Sequence, residues 1–274
     1  MQNVSWGFIH ADQSADLGGD VSNFQNYARF YDLLYAQKDY GLEANYVLET
    51  LRHREPGLQS ILELGCGTGG HARAFASQGL DVFGIDISPE MIELARSKFD
   101  DHSGQGSFSC AVGNICNFQS GRIFDVAVSL FHVMSYLTTN QAFVAALSNA
   151  ASQIGVGGQF LFDVWHKEAV LAQRPEPRIR KISDARLSIS RQATPILEAD
   201  RDCVRINYDV VCEDLEKGQT EKFSEQHVMR YFSPDDIARF AEEAGFKVLE
   251  SHELITRKPA DDTTWAIAYL LQKI

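Results

Sequence analysis

Apolar residues along the chain change spacing in a way that divides it into stretches of different character. The first twenty residues are polar and rich in Gly and Asp, and read as a mobile arm or a lid. From Val21 the spacing becomes helical: Phe24, Tyr27, Ala28, Tyr31, Leu34 and Tyr35 fall at i, i+3, i+4 and i+7 intervals, predicting a helix with one aromatic face. A second helix is predicted from Tyr40 to His53, stopping before Pro56-Gly57. Short apolar runs and helical patterns then alternate. Strands are predicted at Ser60–Leu64, Val82–Asp86, Ser107–Val112, Phe124–Leu130 and Gln159–Asp163, with Ser88-Pro89 opening one helix and Thr139–Ile154 forming another. Repeated strand–helix units imply a parallel, doubly wound α/β sheet.

The middle of the chain differs. Between Trp165 and Phe232 no helical period is visible, and Ile179–Ile182, Leu187–Arg191, Val204–Val211 and Phe223–Tyr231 alternate like antiparallel strands. Ser233-Pro234 then caps a helix to Ala244, and Phe246–Leu249 and Thr264–Leu271 read as two closing strands. The expected organisation is an N-terminal arm and helical cap (1–55), a core (56–165 and 233–274) and an antiparallel β insertion over the site (166–232).

Composition narrows the partners. Hydrophobic residues make up 45% and charged residues 23%, the balance of a folded globular protein. With 25 basic against 37 acidic residues the net charge is −12, a field that repels phosphate backbones and anionic lipid surfaces. Nucleic acid and membrane are therefore not expected as partners. The apolar run Ile123–Leu137 is broken by Asp125 and His132, and the N-terminus has neither the basic nor the apolar region of a signal peptide. The 5 cysteines contain no C-x-x-C pair, so neither a disulfide framework nor a thiolate zinc site is indicated, and a cytoplasmic location is expected.

The most informative segment is Glu63-Leu-Gly65-Cys-Gly67-Thr-Gly-Gly70. Glycines straight after a strand let backbone N–H groups approach a ligand at a helix start. The same residues satisfy G-x-G-x-x-G, so a nicotinamide dinucleotide is one reading. Glu63 favours another, because a carboxylate beside the turn suits a cationic amino-acid head better than a pyrophosphate. Asp86, ending the next strand, is placed to accept both ribose hydroxyls. Ribose with ammonium and sulfonium, and no phosphate, describes S-adenosylmethionine.

Ile61–Gly69 and Gly84–Met91 resemble the first two motifs of class I S-adenosylmethionine-dependent methyltransferases. The resemblance spans residues 25–165 and implies a Rossmann-like seven-stranded sheet whose last strand is antiparallel. It also implies a cofactor site built from Tyr27, Glu63, Gly65, Gly67, Asp86, Ile87, Met91, Asn114, Ile115 and Leu130, with adenine packed on Ile87 and Met91. Asn114 replaces the usual Asp, yet its amide oxygen can still accept from the adenine amino group. No metal is expected, since the Asp-rich site of catechol methyltransferases is not visible.

Tyr27–Tyr35 with Lys38–Tyr40, and Leu130–Thr139, are similar to bacterial nucleotide-sugar N-methyltransferases, which methylate amino-deoxysugars. This likeness implies methyl transfer to the amino group of a nucleotide-linked deoxysugar. O-methylation of a sugar or small metabolite, and a catalytically silent binder of the cofactor, stay open as alternatives, as does a homodimer. His132 is the candidate base, or a capping histidine. Tyr31 and Tyr35 would orient the acceptor or line the methyl group, or form an aromatic core stripe. Asp163 would hold an ammonium or hydroxyl, or cap a turn. Glu225, His227 and Arg230 are candidates to reach the acceptor. Arg174, Arg178, Arg180 and Lys181 form a basic cluster that could grip a diphosphate or merely protect an edge strand.

Overall fold

The computed structural model describes residues 28–99 and 106–274. Phe24, Tyr27 and the polar arm before them lie outside these residues. Strands β1 (Ser60–Leu64), β2 (Asp81–Asp86), β3 (Ser107–Val112), β4 (Phe124–Ser129) and β5 (Ile154–His166) are parallel in the order β3-β2-β1-β4-β5. Beyond β5, β11 (Ala266–Lys273) runs antiparallel to it, and β10 (Phe246–Glu253) pairs with β11. These seven strands have the order and the reversed final strand expected from the motifs.

Alternation within single strands sets the two layers. In β5, Phe160, Phe162 and Val164 join a core with α5 (Asn140–Ser152) and α7 (Pro234–Glu243). Leu161 points into a second core with α2 (Tyr40–Arg52), α3 (Gly70–Ala76) and α4 (Pro89–Lys98). Side chains of successive strand residues leave opposite faces, so the sheet is covered on both sides, as its near-continuous apolar strands require.

The remaining strands, β6 (Arg178–Ser183), β7 (Leu187–Glu198), β8 (Cys203–Asp214) and β9 (Gln219–Phe232), form an antiparallel meander. The first half of β9 alternates between exposed and half-buried residues. Its last residues are buried, where Tyr231 and Phe232 pair with Trp165 and His166 of β5. This short parallel contact fastens the meander to the core beside the carboxyl ends of β4 and β5. Helix α1 (Ala28–Leu34) buries Phe30 and Leu34 against Ile189, Val210 and Cys212 of the meander.

Two expectations need correction. Lys167–Gln173 forms a helix, α6, where none was expected: its two turns are too short to display a period. β5 begins at Ile154 rather than Gln159, because Ile154 already pairs with Phe124 across an irregularity in the ladder. Among the described residues no helix is long and apolar enough to cross a membrane.

At the amino edge of the sheet, Asp125 Oδ2 accepts from the backbone N–H groups of Gln59 and Ser60 at 2.9 and 2.8 Å and from Ser60 Oγ at 3.0 Å. Asp125→Ala should therefore cost about 1.5–3 kcal/mol, the range for hydrogen bonds to a charged group. Urea unfolding would show a lower midpoint; the carboxyl edge of the sheet lies far from this contact, so affinity for S-adenosylhomocysteine, the product of the cofactor that the motifs imply, should not change. An unaltered midpoint would show that these bonds contribute nothing net.

Candidate active site

The carboxyl ends of β1, β2, β4 and β5 open into a cavity of about 540 Å³. Open α/β sheets place ligands at this edge. The chain leaves β1 through Gly65, whose φ is +79°; a side chain there would lie 2.5 Å from Val133 Cγ1. Gly70 faces the Tyr40 ring, which a side chain would meet at 2.4 Å. These two glycines let the turn after β1 lie flat between the loop after β4 and α2.

Asp86 closes the turn from the other side. Its Oδ2 accepts from Gly67 N–H and its Oδ1 from Ser88 N–H, both at 2.9 Å. Burial holds this carboxyl above its ordinary range, with the same backbone N–H groups pulling the other way. A carboxylate has about four lone-pair sites, so two remain for a vicinal diol. Ile87, Met91, Ile115 and Leu130 supply apolar lining next to it. Asn114 also lines the cavity; its Oδ1 accepts from Cys116 N–H at 2.9 Å and keeps one further acceptor site. Cys66 lies in the turn, but burial pushes its thiol up, which removes it as a nucleophile.

Glu63 is buried in β1 with 1% exposure. Its Oε1 lies 3.7 Å from His71 Nδ1, and His71 Nε2 is 2.7 Å from Glu43, which pairs with Lys38. Burial lowers the His71 pKa, so its imidazole supplies no full positive charge. Burial, with the nearby Asp86 charge, pushes Glu63 up to about 8. Its Oε2 has no hydrogen-bond partner among the described residues. Asp86 lines the cavity; Glu63, with one oxygen left unpartnered, is buried and is not among the residues that line it, contrary to the expectation that it meets the ligand directly.

Beyond β4 the backbone is strained. Phe131 and His132 are consecutive non-glycine residues with φ of 68° and 63°. Each left-handed residue costs about 1–2 kcal/mol, and its neighbours hold it. Asp163 Oδ2 accepts from His132 N–H at 3.1 Å and sits 2.6 Å from His132 Nδ1. Lys38 Nζ stands 4.1 Å above the Phe131 ring, and the Tyr35 ring meets Phe131 edge-on at 5.0 Å. The strained turn brings His132, with 22% of its side chain exposed, to the cavity, while Asp163 is fully buried behind it. Asp163 therefore acts on the imidazole and does not line the cavity as expected. A carboxylate oxygen 2.6 Å from Nδ1 favours the proton on that nitrogen and the lone pair on Nε2.

Tyr31 and Tyr35 line the same cavity with ring centroids 4.7 Å apart. Asp32 in the same helix accepts from Thr68 Oγ1 at 2.7 Å and pairs with Lys98, tying α1 to the glycine turn and to α4. Several lining residues carried no local signal. Trp165 is one, at the end of β5; Tyr40, within the segment that carries the family resemblance, also lines the cavity, its hydroxyl pushed up to about 12 by burial and by Asp32 and Glu43. Arg191 and Tyr208 are others, brought together only by the pairing of β7 and β8. His227 reaches the wall, but Arg230 leaves the other face of β9: its Nη2 donates to Asn140 and its guanidinium stacks on Phe232. Of the basic cluster, Arg178 lines the cavity.

Residues 61–158 match a family described as a methyltransferase domain. The chain is 27% identical over 225 residues to the dTDP-3-amino-3,4,6-trideoxy-alpha-D-glucopyranose N,N-dimethyltransferase of Streptomyces venezuelae, covering 81% of this chain and 91% of the relative. Its fold is similar to the crystal structure of Streptomyces venezuelae DesVI (TM-score 0.76, 22% identity, 90% and 98% of the two chains). It is also similar to the SAM-bound amino pentose methyltransferase of Micromonospora echinaspora (TM-score 0.71, 20% identity, 92% and 98%). These likenesses show a methyltransferase domain over residues 61–158 and, for the chain, the fold of class I S-adenosylmethionine-dependent methyltransferases.

If Glu63 senses the ammonium group of the cofactor, its raised pKa links binding to proton release. Below about 8 it is protonated in the free enzyme, and an ammonium group beside it favours the carboxylate. Binding S-adenosylhomocysteine at pH 7 should release on the order of one proton, read from the dependence of the calorimetric heat on buffer ionisation. The release should fade well above pH 8 and vanish in Glu63→Gln. A heat independent of the buffer at pH 7 would contradict this reading of Glu63.

Proposed function

We propose that the protein transfers methyl groups to the amino group of a nucleotide-linked deoxysugar. The observation that carries this reading is the continuity of the cavity: one wall is the glycine turn with Asp86, the middle is His132 under Tyr31 and Tyr35, and the far wall includes Arg178 and Arg191. Two guanidinium groups in a chain of net charge −12 form a local site for a diphosphate, with the sugar between it and His132. The relative from Streptomyces venezuelae, whose substrate is such a dTDP-amino sugar, supports the assignment. All 5 cysteines are free and buried, which fits a reducing, cytoplasmic setting.

When bound, S-adenosylmethionine supplies a methyl group activated by its sulfonium. The chain's own residues do the rest. The sugar nitrogen must offer a lone pair, so its ammonium form has first to lose a proton. His132 Nε2 accepts that proton, and the Asp163 carboxylate stabilises the resulting imidazolium. The nitrogen forms its bond to the methyl carbon as the carbon–sulfur bond breaks, and the imidazolium returns its proton to solvent. Tyr31, Tyr35 and Phe131 present ring faces to the region of positive charge. Lys38 over Phe131 shows that a cation is accommodated there. The cap formed by α1 excludes water and aligns the reactants.

Incubation with S-adenosylmethionine and a panel of thymidine- and uridine-diphosphate amino sugars should give products heavier by one or two methyl groups on nitrogen. No methylated amino sugar from any member of the panel would refute the proposal. His132→Asn should slow turnover on the order of a hundredfold while sparing S-adenosylhomocysteine affinity. The loss should shrink at high pH, where the amine is already neutral and needs no base. Full turnover across the pH range would remove His132 as the base.

A further inference from the structure

On the meander side of the cavity three polar side chains form a buried chain that the transfer step does not use. Tyr136 ends the 3₁₀ turn Val133–Tyr136 that follows His132 directly, and its hydroxyl is 2.8 Å from His227 Nδ1. His227 Nε2 lies 3.3 Å from Glu225 Oε2, and the side chains of His227 and Glu225 are only 4% and 5% exposed. The Tyr208 ring meets the imidazole edge-on at 5.0 Å. Tyr136 and His227 both line the cavity. Apolar side chains at these positions would fill the same space without the cost of burying a carboxyl and an imidazole.

The chain of bonds has one direction. The Glu225 carboxylate can only accept, so in the tautomer that fits it the imidazole donates through Nε2–H. Nδ1 then carries the lone pair, and the Tyr136 O–H donates to Nδ1. With its proton committed, the Tyr136 oxygen meets the cavity as an acceptor. Burial also raises the Tyr136 pKa well above its ordinary value, so it stays a neutral phenol.

We propose that the Glu225–His227–Tyr136 relay sets acceptor selectivity: the Tyr136 oxygen accepts a hydrogen bond from a ring hydroxyl of the amino sugar. Hydroxyl-bearing sugars are favoured over the analogue lacking that group. Sugars with a keto oxygen at that position are opposed, because two acceptors would face each other. Glu225 and His227 are positioning residues in this proposal, since the contact with the sugar hydroxyl is made by Tyr136. The inference rests on the amino-sugar reading above.

The test compares nucleotide amino sugars that differ at single ring hydroxyls, using the full-length enzyme. At one position the wild type should prefer the hydroxyl-bearing acceptor by roughly tenfold in kcat/KM, the worth of one hydrogen bond. Tyr136→Phe should bring that ratio close to one by lowering only the hydroxyl-bearing value. Glu225→Gln, which keeps shape and volume, should narrow the ratio less. S-adenosylhomocysteine affinity reports that each variant is folded. An equal fall for both acceptors, as a purely structural bond would give, overturns the proposal, as does a wild-type ratio near one at every position. No turnover of any amino sugar by the wild type overturns the amino-sugar reading and the proposal with it.

Discussion

Two acidic side chains, Glu63 and Asp163, are buried at the carboxyl edge of one parallel sheet, with a third, Asp86, half-buried at the cavity, and most features of the site answer to that constraint. Removing a carboxylate from water costs several kcal/mol unless donors or cations replace the lost solvation. Asp86 is supplied by the backbone N–H groups of Gly67 and Ser88. Asp163 is supplied by His132, through its backbone and its imidazole. Glu63 is served least, with one oxygen lacking a hydrogen-bond partner among the described residues and a distant, uncharged histidine beside the other. Asp163 Oδ1 also lacks a partner among the described residues, so the chain itself satisfies the carboxyls of this edge only in part.

The same constraint explains the strain after β4. A left-handed pair at Phe131 and His132 would not persist without support. Asp163 Oδ2 accepts from the backbone N–H of His132 and lies 2.6 Å from its ring Nδ1, so a single buried carboxylate braces both the turn and the ring. The aromatic cap adds a second hold. Tyr35 packs on Phe131, Arg191 donates to the Tyr35 hydroxyl at 3.2 Å, and Asp32 links α1 to Thr68 in the glycine turn. Cap, turn and meander thus form one mechanical unit around the cavity.

How much of this could be read in the sequence follows from how local each feature is. Glu63, Gly65, Gly67 and Asp86 lie in two consecutive strand–turn–helix units, so their spacing carries their geometry. The caps at Ser88 and Ser233 are equally local. The pairing of His132 with Asp163 spans neighbouring strands, and nothing in either segment distinguishes a buried support from a residue facing the acceptor. Arg191, Tyr208 and His227 meet only through the registers of β7, β8 and β9. On each strand they look like ordinary members of an alternating pattern. Arg230 was grouped with His227 although the period of two places them on opposite faces. Helix α6 escaped notice because two turns following a strand do not establish a period.

The central claim is that the cavity brings a sugar amine to His132 with its diphosphate toward Arg178 and Arg191. A crystal structure of the enzyme with S-adenosylhomocysteine and a thymidine-diphosphate amino sugar tests it most directly. The account predicts the amine within hydrogen-bond reach of His132 Nε2, facing the sulfur that carries the methyl group in the substrate cofactor, and the diphosphate on the two arginines. A well-ordered nucleotide sugar with its amine turned away from both His132 and the sulfur would contradict it.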